Sequence, residues 1–148
     1  LIPTGFEIRI KDARIEAVVQ ELKKLRIDTF PNAVAITFRS LLDMSVTKFL
    51  SDAGEIQVIR ANLSKKQARP ADWLPSLKQQ LDHILATPTI NLGPEGRKAL
   101  QKFVSDASQP LTLDTLNWFT HVRYVPPTVE QLRAFWTMLT PLVELTLQ

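Results

Sequence analysis

The chain contains no cysteine, which excludes disulfides and thiolate metal sites. It has two histidines, His83 and His121. With no cysteine to join them, neither a metal nor any other cofactor is expected. A reducing cytoplasm suits this composition, and a cytoplasmic location is the expectation. No apolar run reaches the roughly eighteen residues of a membrane span, so no membrane partner is expected. Neither sign of charge dominates: 18 basic and 15 acidic side chains leave a net +3, too small by itself to argue nucleic-acid binding. A phosphate loop is absent, because Gly93-Pro94-Glu95-Gly96 lacks the following Lys-Ser/Thr and reads as a helix-start turn. Ser105, Asp106 and Ser108 have no His near them in sequence with which to form a nucleophile–base pair. No basic-then-apolar leader opens the chain. It starts at Leu1 rather than Met, which reads as a domain cut from a longer protein, or as a partly ordered chain.

What is present is an ordinary globular composition. The length of 148 residues suits one compact domain, and an apolar share of 45% can fill one core. Residues 1–11, with Pro3 and Gly5, read as an extended lead-in or linker, with one short edge strand in it as an option. Residues 12–148 read as a single all-α domain, a bundle of five to six helices. Asp12 is a good N-cap for the first, whose apolar face is Ile15, Val18, Val19, Leu22 and Leu25. The second is expected from a cap at Asn32 to about Ala53, with Gly54 as its terminator. Apolar residues cover most of its circumference, which marks it as the central, buried helix. The stretch EIQVI, from Glu55, reads as a short strand able to pair with the lead-in. A third helix is expected over 72–86 with Pro75 in its first turn, a fourth from Pro94, and a fifth over 112–120. The last starts at the Thr128/Gln131 capping-box pattern and is kinked or tightened by Pro141.

Three groups of residues are candidates for chemistry. Asn117 and His121 lie four apart, so they project from one face of a helix. They serve either as a polar site or as bridges to backbone groups where that helix ends. Arg39 sits in the middle of the central helix, where an unpaired charge is costly. It is either aimed at the Asn117/His121 pair or bridged to Asp43, Asp114 or Glu144. The third group is the basic cluster Arg60, Lys65, Lys66 and Arg69, with Lys23, Lys24 and Arg26 as further cations and Trp73 and Tyr124 as stacking aromatics. It is a candidate phosphate contact, with a plain solvated surface as the alternative. Arg97, Lys98 and Lys102 read as ordinary helix surface, and Asp82-His83 as an exposed helix edge.

The order of elements, a very apolar helix AVAITFRSLLDMS with an embedded Arg, then Leu116-Asn117-Trp118-Phe119-Thr120-His121, then a closing helix, resembles the HEPN superfamily. These helical bundles are common in bacterial toxin–antitoxin and anti-phage systems, and many are metal-independent ribonucleases. The family hallmark is an Arg, a polar residue, three more residues and a His. Asn117 and His121 match it, while Leu116 stands where the Arg belongs. In such a ribonuclease the His works as acid or base on the 2′-hydroxyl, and the Arg holds the phosphate and stabilises developing charge. Leu116 can do neither. The resemblance, over about residues 12–147, therefore implies a non-catalytic interaction or dimerisation domain of a bacterial defence or nucleic-acid-associated protein. Its partner would be a second copy or another domain of the same longer chain. Two alternatives stay open: a ribonuclease with a relocated Arg, supplied by Arg39 or Arg123, and a nucleic-acid-binding accessory module. The succession PNAVA, FRSLL and TLN-x-x-x-H also resembles the C-terminal ends of bacterial proteins with ParB-like N-terminal domains.

Overall fold

The computed structural model describes residues 1–105, 110–121 and 126–148, with every side chain among them except that of His121. Among these residues the chain is all-helical, with α1 (Ala13–Lys24), α2 (Pro31–Asp52), α3 (Glu55–Ser64), α4 (Leu77–Ala86), α5 (Gly93–Ser105), α6 (Leu113–His121) and α7 (Val129–Leu147). There are thus seven helices rather than five or six. The extra one is α3. The stretch read as a strand places Ile56 and Ile59 one turn apart, and both are buried. That three-residue spacing suits one helix face and would split the pair between the two faces of a strand. No strand occurs among the described residues.

Local chemistry sets the helix ends. The Asp12 carboxylate accepts from the backbone N–H of Arg14 and Ile15, both at 3.0 Å, and starts α1. The start of α2 differs from the expectation. Phe30 is its N-cap, without a side-chain hydrogen bond, and Pro31 takes the first helical position. Proline has no N–H to leave unsatisfied there and its φ is already helical, so Asn32 falls inside the first turn and caps nothing. Ala53 and Gly54 alone join α2 to α3, and Gly54 has φ +74. An L side chain at that φ is strained. The third expected helix starts later than read, because Ser76 and Gln79 form a reciprocal capping box that leaves Pro75 outside α4. Thr128 and Gln131 form the same box at the start of α7, which continues through Pro141 to Leu147.

The helix α2 packs against α1, α3, α4, α6 and α7 and is the centre of the bundle, as its composition predicts. Phe38, Leu41, Val46 and Leu50 on it are fully buried. Its buried Ser45 receives a hydrogen bond from Thr146 of α7 at 3.2 Å, and its Thr47 donates to the buried Gln80 of α4 at 3.1 Å. These bonds offset the desolvation of polar groups in the core. The helix α5 is held between α4 and α7. Gly96 of α5 lies against Pro141 of α7, where an added Cβ would stand 2.8 Å from the proline Cβ. The absent side chain lets the two helices approach. Around Phe135 of α7, Phe103 and Phe119 pack edge-on with ring centres 6.1 and 6.4 Å away.

The lead-in has no regular structure, yet it is pinned. The backbone N–H groups of Arg9 and Ile10 donate to the Leu147 carbonyl at 2.7 and 3.2 Å. Phe6 stacks edge-on against Trp136 at 5.6 Å. Lys23 of α1 donates to the carbonyls of Thr4 and Phe6 at 3.2 and 2.6 Å.

Candidate functional site

The Arg39 side chain emerges from the middle of α2 towards α6. Its Nε donates to Oδ1 of Asn117 at 2.8 Å. Its Nη1 lies 2.8 Å from Oδ2 of Asp43, one turn later on α2. By distance that is an ion pair, but it is not aligned as a hydrogen bond: Nη1 is buried and has no hydrogen-bond partner among the described residues. The Arg39 side chain is 16% exposed and that of Asp43 49%. Two of the readings of Arg39 therefore meet in one side chain, the bridge to Asp43 and the contact with the polar residue of α6. Asp114 and Glu144 make no ion pair with it. A buried guanidinium needs compensation on more than one side, and the adjacent carboxylate and the amide oxygen divide that task.

Leu116 precedes Asn117 on α6 and is fully buried. Along that helix Leu113 and Leu116 enter the core, and Asn117, the next residue round, reaches Arg39 at the edge. The position matching the family's Arg thus faces the apolar interior, where a guanidinium has no partner. His121 ends α6 one turn beyond Asn117. Its side chain, and the whole of Arg123 and Tyr124, lie outside the described residues.

Of the four basic residues read as a phosphate contact, Arg60 lies within α3 and the other three in the segment after it, and they do different things. Lys65 and Lys66 are exposed. Arg60 donates to the Ala71 carbonyl and ties α3 to the chain entering α4. The Arg69 guanidinium lies 4.5 Å from the centre of the Trp73 ring, a cation–π contact that uses a ring face read as a stacking surface. Its Nε is buried without a hydrogen-bond partner among the described residues. Of the further cations, Lys24 is exposed and Lys23 and Arg26 are engaged. Lys23 holds the lead-in. Arg26 pairs with Asp28 at 2.9 Å, and that bond holds the Asp28 carboxyl below its ordinary range.

Two expectations on the α4 side need correction. His83 is not on an exposed edge. It is half-buried, with Nε2 2.6 Å from Oε2 of Glu55, and so links the last turn of α4 to the first turn of α3. Glu55 at a helix start and His83 at a helix end both suit the local dipoles. Arg97 is not plain helix surface. Its guanidinium donates to the carbonyls of Leu85 and Ile90 at 2.7 and 2.8 Å, and to those of Ile84 and Thr87 at 3.3 Å. It closes the open C-terminal end of α4, whose last carbonyls have no helical partner. The only sequence signal for this was a short Pro-containing connection, 87–92, leading into a helix whose Arg had no acid placed to pair with it.

Among the described residues no cluster of three or more His, Asp or Glu could hold a metal, and no helix is long and apolar enough to cross a membrane. The chemistry available around Arg39 is that of a neutralised, largely buried cation clamped between an acid and an amide. Comparisons of the chain with family models, with curated proteins and with solved structures return no match.

Proposed function

We propose that the chain is a non-catalytic, HEPN-like interaction domain of a bacterial defence or nucleic-acid-associated protein. It associates with a second copy, or with another domain of a longer chain, through the side of the bundle formed by α2 and α6. One observation carries this reading: the position that would hold the phosphate-binding Arg is a fully buried Leu116, while Arg39, the cation in contact with Asn117, is already compensated by Asp43 and Asn117. A phosphate approaching that guanidinium would compete with the Asp43 carboxylate beside it. The exposure of large apolar residues on the same two helices adds support. Ile36, one turn before Arg39, is 48% exposed, and Trp118, next to Asn117, is 54% exposed. Apolar groups of this size at the surface are what a docking face requires.

A second reading has one observation in its favour. Arg39 contacts Asn117, and His121 lies one turn along the same helix, so a relocated Arg is available to a ribonuclease of this type. Two measurements separate the readings. Incubating the chain with varied single-stranded and structured RNAs is expected to give no cleavage, and sedimentation at micromolar concentration is expected to give a dimer. Cleavage abolished by both His121→Ala and Arg39→Ala would establish the second reading and overturn the first.

A further inference from the structure

We infer that the α1–α2 hairpin carries a self-complementary surface for a second copy of this chain. The inference rests on the reading of the chain as an interaction domain, and it names a second copy as the partner and seats it on the α1–α2 face, which adjoins the α2–α6 side at the Asp43–Arg39 pair. An open groove of about 400 Å³ lies between the two helices, lined by Arg14, Val18 and Glu21 from α1 and by Ile36, Ser40 and Met44 from α2. A second depression, of similar volume, includes Arg14, Asp43 and Met44 and carries the groove on past Thr47 to Ser51. The groove passes beside the Arg39 contact, because Asp43 lines it and pairs with Arg39. Its apolar content is not satisfied within the chain, since Ile36 remains 48% exposed at its rim.

The charges choose the occupant. Arg14, Val18 and Glu21 recur at i, i+4 and i+7, so they form one stripe along α1. Arg14 and Glu21 are exposed, and neither side chain forms an ion pair or hydrogen bond with another described residue. At about 1.5 Å per residue they stand roughly 10 Å apart along the axis. A two-fold axis at the level of Val18 would lay α1 antiparallel on its copy. Arg14 would then face the partner's Glu21, Glu21 would face the partner's Arg14, and the apolar Val18 would lie at the centre. An isologous contact has this reciprocity by symmetry. A partner of one sign does not fit: a polyanion drawn to Arg14 meets Glu21 and Asp43 in the same groove. A second copy satisfies both ends of the stripe at once and covers Ile36.

Sedimentation equilibrium of the 148-residue chain at low salt tests this. Arg14→Glu and Glu21→Arg each place like charges opposite one another, and each is expected to weaken the dimer about tenfold or more. Combining the two reversals restores the pairing with its sense exchanged, and the dissociation constant is expected to return to within about threefold of the original. Both residues are exposed, and circular dichroism of each variant checks that the fold is kept. A dimer indifferent to both single reversals would overturn this surface while leaving the interaction-domain reading with another face. A strict monomer at every concentration would overturn the homodimer altogether. RNA cleavage dependent on His121 would instead remove the reading on which the inference rests.

Discussion

Removing Arg39 separates a structural clamp from a catalytic cation, and the structure sets the expected size. Arg39→Ala deletes a charge-assisted hydrogen bond of 2.8 Å to Asn117 from a side chain only 16% exposed. Hydrogen bonds of this kind are worth about 1.5–3 kcal/mol net. The i, i+4 pair with Asp43 adds only about 0.3–0.5 kcal/mol, because Asp43 is half in water. Lost packing of the aliphatic stem contributes about 1 kcal/mol more. The sum for Arg39→Ala is about 3–4.5 kcal/mol, and Arg39→Met, which keeps most of the stem, should lose about 1 kcal/mol less. Asn117→Ala should cost about 1–2 kcal/mol and Asp43→Ala about 0.5 kcal/mol or less. Urea unfolding followed by far-UV circular dichroism gives each value by linear extrapolation. In the double-mutant cycle of Arg39→Ala with Asn117→Ala, the coupling should be about 1–2 kcal/mol. A coupling below about 0.5 kcal/mol would refute the clamp, and so would a larger loss from Asp43→Ala than from Asn117→Ala.

Arg97→Ala should destabilise the fold by about 2–4 kcal/mol, because it strips donors from four carbonyls at the end of α4 and in the connection after it; in a chain of this size that lowers the melting temperature by roughly 2–4 °C per kcal/mol. Arg97→Lys, with no fork to span four acceptors, should recover less than half of the loss in the same melt. Gly96→Ala should cost about 1–3 kcal/mol, since the new methyl would meet the rigid Pro141 ring at 2.8 Å; a neutral effect would show that α5 and α7 separate freely. Leu116→Arg should cost about 4 kcal/mol or more by burying a charge without a partner, and a folded variant of undiminished stability would show that the position can open to solvent.

Much of the bundle could be read from the residues. Asp12 and the Thr128/Gln131 box announced α1 and α7, and the nearly uniform apolar surface of α2 announced the centre. The errors arose where two local signals competed. β-Branched residues in EIQVI suggested a strand, but the burial of Ile56 and Ile59 follows the helical period. Asn32 is a better capping side chain than Phe30, but the rigid ring of Pro31 decided the start of α2. At the candidate site the residue types were legible and their pairing was not. Arg39 and Asn117 are 78 positions apart, and only the packing of α6 on α2 brings them together. Arg97 and His83 show the same limit, because a polar side chain's use depends on which helix end or acid the tertiary fold delivers to it.

The first residues of the chain depend on the last ones. Phe6 rests on Trp136, and the amides of Arg9 and Ile10 find their acceptor at Leu147. On a ribosome, which delivers the N-terminus first, these groups must wait until the final helix has left the exit tunnel. A nascent chain lacking that helix also leaves one flank of α2 bare. The cooperative unit therefore closes only once α7 is in place, and removing either the lead-in or α7 removes the same clasp.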